Sequence, residues 1–90
     1  GDITDRAKRV LSDVSAIICE DTRVTGGLLH NLNLPKKELI SLHGYTDPRK
    51  LDRVIERLKN GENLAMVSDA GKPGISDAGY EMVFLVPPPF

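Results

Sequence analysis

Short apolar runs alternate with amphipathic stretches along most of this chain. In the amphipathic stretches, apolar side chains recur at i, i+3, i+4 and i+7, the spacing of one helical face. The pattern predicts helices after Asp2 or Thr4, over residues 24–34, and from Asp47–Pro48 onward. Predicted strands are the apolar runs 16–19, 39–42 and 64–67.

This alternation indicates the fold class α/β, built from parallel βαβ units. Right-handed crossovers between parallel strands bring the loops that follow the strands to one edge of the sheet. We therefore expect loops 20–23, 43–46 and 68–76 to converge there. Within the second helix, Gly26–Gly27 weakens the pattern, because glycine is a poor helix former.

The longest of these loops is rich in glycine, which widens the range of backbone conformations, and also contains proline, which restricts it. It runs from the end of an apolar strand to Gly79 and contains Gly71, Pro73 and Gly74. Glycine permits close approach of a ligand to the backbone, and proline stiffens the turn. Ligands of open α/β sheets bind at such strand ends. A tight strand-to-helix connection without a ligand is the alternative interpretation.

Composition narrows the possible functions. The chain has 90 residues, is 40% hydrophobic and 28% charged, and carries a net charge of −1, values typical of one soluble globular domain. Contact with a nucleic acid would need a local basic patch, for which Lys36, Lys37 and Lys72 are candidates. Cys19 is the single cysteine, so an internal disulfide and a cysteine-cluster zinc site are excluded. No apolar run is long enough to span a membrane, and we expect a cytoplasmic protein.

The end of the chain does not continue the alternation cleanly. Residues 77–83 are predicted to begin a helix, and residues 84–86 to form a strand directly after it. Pro87–Pro89 then interrupts regular structure. A truncation, a deletion or omitted residues would each explain this arrangement.

Three segments together resemble the tetrapyrrole methylase superfamily. They are Gly1–Thr4, Ile18–Arg23 and Val67–Tyr80, in that order and at the family's spacing. The resemblance covers residues 1–83. It is nearest to the branch that methylates the ribose 2′-hydroxyl of a cytidine in 16S ribosomal RNA. Lys72 and Ala78 depart from the threonine and proline common at those positions.

The resemblance implies an S-adenosylmethionine-dependent enzyme that acts on ribosomal RNA of the small subunit. Family members have two α/β domains with the cofactor between them, and they usually form homodimers. By this resemblance, residues 1–90 are an incomplete N-terminal methylase domain. The first strand and the C-terminal domain are absent, so we expect the chain to be inactive alone.

The resemblance also assigns roles to individual residues. The backbone of one loop is expected to bind the cofactor, through Asp69, Ala70, Gly71, Ile75 and Ser76. The 20–23 loop is expected to face the substrate, with Thr22 and Arg23 binding RNA and Glu20 or Asp21 as catalytic candidates. An ordinary solvated loop is the alternative for residues 20–23. Two further hypotheses remain open, a porphyrin or corrin methylase of the same superfamily and a non-catalytic α/β module.

Overall fold

A computed structural model describes residues 4–43, 47–69 and 81–89. Within these residues, four strands form one sheet, and three helices pack on its two faces. In chain order the elements are α1 Asp5–Asp13, β1 Ala16–Cys19, α2 Thr22–Asn31, β2 Glu38–Ser41, α3 Pro48–Lys59, β3 Leu64–Asp69 and β4 Glu81–Leu85.

The sheet has the strand order β2-β1-β3-β4. β1 pairs in parallel with β2 and with β3, whereas β4 is antiparallel to β3. These parallel pairs confirm the predicted α/β class and its βαβ units. The chain passes from β1 to β2 and then returns past β1 to reach β3. The strand order therefore reverses between β1 and β3.

The core lies on both faces of β1, whose four residues are all buried. On one face, Ile17 packs in a cluster that includes Leu11 of α1 and Leu29 of α2. On the other face, Ile18 packs in a cluster that includes Val54 of α3. A strand covered on both faces is apolar at every position, which explains the uninterrupted run at 16–19.

Local capping signals fix where α1 and α3 begin. The Thr4 hydroxyl accepts a hydrogen bond of 3.1 Å from the Ala7 amide. The Asp47 carboxylate accepts one of 2.9 Å from the Arg49 amide, with Pro48 at the start of the helix. Both helix starts were predicted, because short polar side chains satisfy the first free amides of a helix.

The predicted helix over residues 77–83 is wrong in its last three residues, which belong to β4; residues 77–80 lie outside the described residues. Val83 pairs with Val67, and Glu81 pairs with Asp69. Pairing with β3 gives these residues the ladder hydrogen bonds that a short helix would supply, and Val and Phe favour strands. The predicted strand at 84–86 is confirmed for its first two residues. The Val86 amide extends the pairing by donating to the Leu64 carbonyl at 2.9 Å.

Candidate functional site

The carboxyl ends of β1, β2 and β3 lie at the same edge of the sheet. Parallel pairing places Cys19 beside Ser41, and Ile18 beside Met66 of β3. The shared edge agrees with the predicted convergence of loops 20–23, 43–46 and 68–76 as far as these loops are described, and residues 44–46 and 70–76 lie outside the described residues. This edge includes the position between β1 and β3 where the strand order reverses, and open α/β sheets hold their ligands at such positions.

Asp21 caps the helix that leaves this edge. Its Oδ1 accepts a hydrogen bond of 2.9 Å from the Arg23 amide, and its carbonyl accepts from the Thr25 amide at 3.2 Å. Thr22 and Arg23 thus lie in the first turn of α2, which corrects the prediction of a loop over residues 20–23. The hydrogen bond from the Arg23 amide is the main reason that the pKa of Asp21 is lowered from its ordinary value.

The side chains of this segment differ in their exposure. Glu20 is exposed, and Thr22 is half-buried. The Arg23 side chain is 92% exposed, and its Nε lies 3.6 Å from Asp21 Oδ1. Such an exposed ion pair contributes little to stability. The Arg23 guanidinium therefore remains accessible to an external anion.

Ser41 holds the backbone of the same segment from the neighbouring strand. Its hydroxyl donates a hydrogen bond of 3.1 Å to the Glu20 carbonyl. The Leu42 amide donates to the Cys19 carbonyl at 2.8 Å, which completes the pairing of the two strand ends. The sequence analysis missed Ser41, because only the register of β1 against β2 brings it to Glu20.

Two buried residues lie at the carboxyl end of β1 and in the helix that follows it. Cys19 and Thr25 are each 3% exposed. Burial raises the pKa of the Cys19 thiol, and a hydrogen bond with the Thr25 side chain partly offsets this effect. A buried thiol with a raised pKa is a poor nucleophile. The prediction that Cys19 is buried is confirmed.

The residues predicted to bind the cofactor are mostly not described. Asp69 is the last residue of β3, at the same edge as Glu20. Ala70, Gly71, Ile75 and Ser76 lie outside the described residues. The structure therefore brings the start of the predicted cofactor-side loop to this edge, and the roles of all five residues stay predictions.

The described residues lack a metal cluster and a membrane-spanning helix. Residues 4–43, 47–69 and 81–89 contain no group of three His, Cys, Asp or Glu side chains arranged to hold a metal ion. Among the same residues, no helix combines the length and the apolar character needed to cross a membrane.

The fold and the edge together define an α/β domain whose parallel strands end at a candidate ligand site. No protein-family model matches the chain. Curated proteins named ribosomal RNA small subunit methyltransferase I do match. The protein of Vibrio cholerae is 46% identical over 83 residues, which are 92% of this chain and 28% of the relative. Those of Escherichia coli O157:H7 and Leptospira biflexa are 44% and 41% identical, over 91% and 92% of this chain and 28% and 34% of the relatives.

These matches confirm the resemblance. Over nine tenths of its length, the chain is homologous to part of the proteins named ribosomal RNA small subunit methyltransferase I. It spans only about three tenths of the length of those relatives.

Proposed function

We propose that this chain is part of an S-adenosylmethionine-dependent enzyme that methylates a ribose 2′-hydroxyl, that of a cytidine, in small-subunit ribosomal RNA. The observation that carries the proposal is its 40–46% identity, over 91–92% of the chain, to relatives named as small-subunit rRNA methyltransferases. The cytidine, the 2′-hydroxyl, the homodimer and the cytoplasmic location rest on the family resemblance alone.

S-adenosylmethionine, when bound, supplies an electrophilic methyl group on a sulfonium. The described residues fit such a ligand in one respect, because the interior strands β1 and β3 end side by side where the strand order reverses. The backbone of Asp69, Ala70, Gly71, Ile75 and Ser76 would hold it there. The chain's own task is to align the ribose oxygen with the methyl group, and such alignment supplies much of the rate of a displacement.

The segment that follows β1 supplies the substrate-side groups. Transfer of the methyl group to the ribose oxygen would require the hydroxyl proton to leave. A carboxylate of Glu20 or Asp21 would orient this hydroxyl or accept its proton. The exposed Arg23 would pair with an RNA phosphate, beside Thr22.

The proposal is tested by exchanging the matched segment. The 83-residue segment of the Vibrio cholerae relative is replaced by the corresponding residues of this chain. The chimera is incubated with small ribosomal subunits and tritium-labelled S-adenosylmethionine, and label in 16S rRNA is counted. The unaltered relative is the positive control. We expect the chimera to incorporate label, and no incorporation by a folded chimera would overturn the proposal.

Variants of the chimera test the substrate-side segment. Glu20→Gln and Asp21→Asn remove one carboxylate each, and Asp21→Asn keeps an oxygen that can cap α2. Arg23→Ala removes the exposed guanidinium, with Arg53→Ala on α3 as the matched control. We expect Arg23→Ala and at least one carboxylate variant to lower methylation, with the control unchanged. Unchanged rates for the first three variants would remove this segment from the mechanism.

A further inference from the structure

A cleft lies between α2 and β2, away from the edge described above. It has a volume of ≈ 270 Å³ and is lined by Gly26, Leu29, His30, Leu34, Lys36, Lys37 and Leu39. Leu29 is buried, while Leu34 and Leu39 are half-buried. The leucines form an apolar floor, and the charged lining is basic. None of the described residues that line the cleft is acidic.

Gly26 shapes the floor of this cleft. A methyl group at Gly26 would meet only Leu39 Cδ1, at 3.7 Å, which is ordinary contact. A longer side chain there would extend along Leu39 and occupy the cleft. A methyl group at the neighbouring Gly27 would meet nothing within 4 Å. Glycine costs stability inside a helix, and at Gly26 its effect is to leave the cleft open.

The basic side chains give the cleft its charge. Lys36 is exposed and lines the cleft. Lys37 is half-buried and donates a hydrogen bond of 2.9 Å to the Ser12 carbonyl, which fixes its position beside the cleft. His30, which is exposed, can donate or accept a hydrogen bond. Lysine ammonium groups at a rim suit the phosphates of a polyanion.

We propose that this cleft, with its leucine floor and the Lys36–Lys37 rim, binds one unpaired nucleotide of single-stranded RNA and its phosphates. The identity of the polyanion as RNA rests on the proposed function. Unpaired RNA nucleotides expose a base that can enter an apolar cleft while the backbone stays outside. α2 connects the substrate-side segment to this cleft, since Gly26 and His30 lie four and eight residues after Thr22, about 6 and 12 Å along the helix axis. One RNA strand can therefore contact both places.

The test measures RNA binding by the 90-residue chain itself. The probe is a fluorescein-labelled 12-nucleotide oligocytidine, and binding is followed by fluorescence anisotropy. Gly26→Met fills the cleft, and Gly27→Met on the same helix is the matched control, since both gain helix propensity. We expect Gly26→Met to weaken binding about tenfold, because its longer side chain would occupy the space of the base, and Gly27→Met to bind like the unchanged chain. Equal affinities of the two variants would overturn the proposal.

Salt dependence tests the phosphate contact separately. For single-stranded nucleic acid, each phosphate contact contributes about 0.7 to the slope of log affinity against log salt concentration. We expect Lys36→Ala to reduce this slope by about that amount, and Arg53→Ala on the opposite face to leave it unchanged. An unchanged slope for Lys36→Ala would overturn the assignment of the rim.

A second probe distinguishes RNA from an acidic protein segment. A fluorescein-labelled peptide of alternating glutamate and leucine has the same charge sign and an apolar component. Tighter binding of the peptide than of RNA, lost in Gly26→Met, would overturn RNA as the occupant. These binding measurements do not use the chimera. A chimera that fails to methylate would overturn the proposed function, and the anisotropy result would still test whether the cleft binds RNA.

Discussion

The Ser41 hydroxyl donates a hydrogen bond of 3.1 Å to the Glu20 carbonyl, so the end of β2 holds the backbone of the residue that follows β1. Glu20 immediately precedes Asp21, the cap of α2. This exposed side-chain hydrogen bond therefore links the end of β2 to the segment in which α2 begins.

Ser41→Ala removes this bond. Because the bond is exposed, we expect the free energy of unfolding to fall by only about 0.5–1 kcal/mol. Ser41→Thr keeps the hydroxyl and suits a strand, so it should match the unchanged chain. Urea denaturation measures both. In the chimera, Ser41→Ala should lower the methylation rate more than Ser41→Thr, and equal rates would show that Ser41 does not position Glu20.

The glycines of the chain are expected to respond to alanine in opposite directions. Gly26 and Gly27 lie inside α2, where alanine fits without a close contact. Gly26→Ala and Gly27→Ala should each raise the free energy of unfolding by about 0.8–1.0 kcal/mol. Gly61 has a φ of 89°, which alanine adopts only with strain, so Gly61→Ala should lower the free energy of unfolding by about 1–2 kcal/mol. Thermal and urea unfolding measure the three variants, and a stabilised Gly61→Ala would contradict the backbone assignment.

The sequence predicted those parts of the fold that local signals determine. The caps at Thr4 and Asp47 and the buried run 16–19 depend on neighbours in the chain, and each was located. Ser41 and its acceptor, by contrast, are 21 residues apart. Periodicity cannot reveal a contact that exists only once β1 and β2 are in register.

Pairing between distant segments also explains the wrong helix prediction near the end of the chain. Residues 81–83 were predicted as the end of a helix from the local sequence, but pairing with β3 decides their conformation. The site was located by its position after β1, whereas the helical start at Thr22 was missed. Asp21 caps α2, so the helix begins two residues earlier than the predicted start at residue 24.

Arg57 links three segments through two carboxylates. It donates to Glu38 at 2.8 and 2.9 Å and to Glu62 at 2.9 Å, and its side chain is 25% exposed. We expect Arg57→Ala to lower the free energy of unfolding at pH 7 by about 1–2 kcal/mol, more than for a fully exposed pair. The hydrogen bonds from Arg57 also lower the pKa of Glu38 from its ordinary value of 4.5.

This shift predicts a pH dependence of stability. A carboxyl whose pKa is lowered by folding stabilises the folded state above its ordinary pKa, and the contribution is lost as the pH falls through the lowered value. Glu38→Gln should therefore reduce the loss of stability below about pH 4.5, and Arg57→Ala should do the same. Urea midpoints between about pH 3 and pH 7 measure the effect. Glu56→Gln, on an exposed residue of α3, is the control and should keep the original profile.

The Cys19 thiol is expected to be unreactive in the folded chain. It is 3% exposed, and burial raises its pKa, so little thiolate is present and little of it is accessible. At about pH 8, an aromatic disulfide reagent should react slowly with Cys19 in buffer, where the chain is folded. The reagent should react fully at urea concentrations above the unfolding transition. Thr25→Val removes the hydrogen bond that lowers the thiol pKa, and should therefore not accelerate the reaction of the folded chain. Rapid stoichiometric reaction in buffer would contradict the packing of α2 against the end of β1.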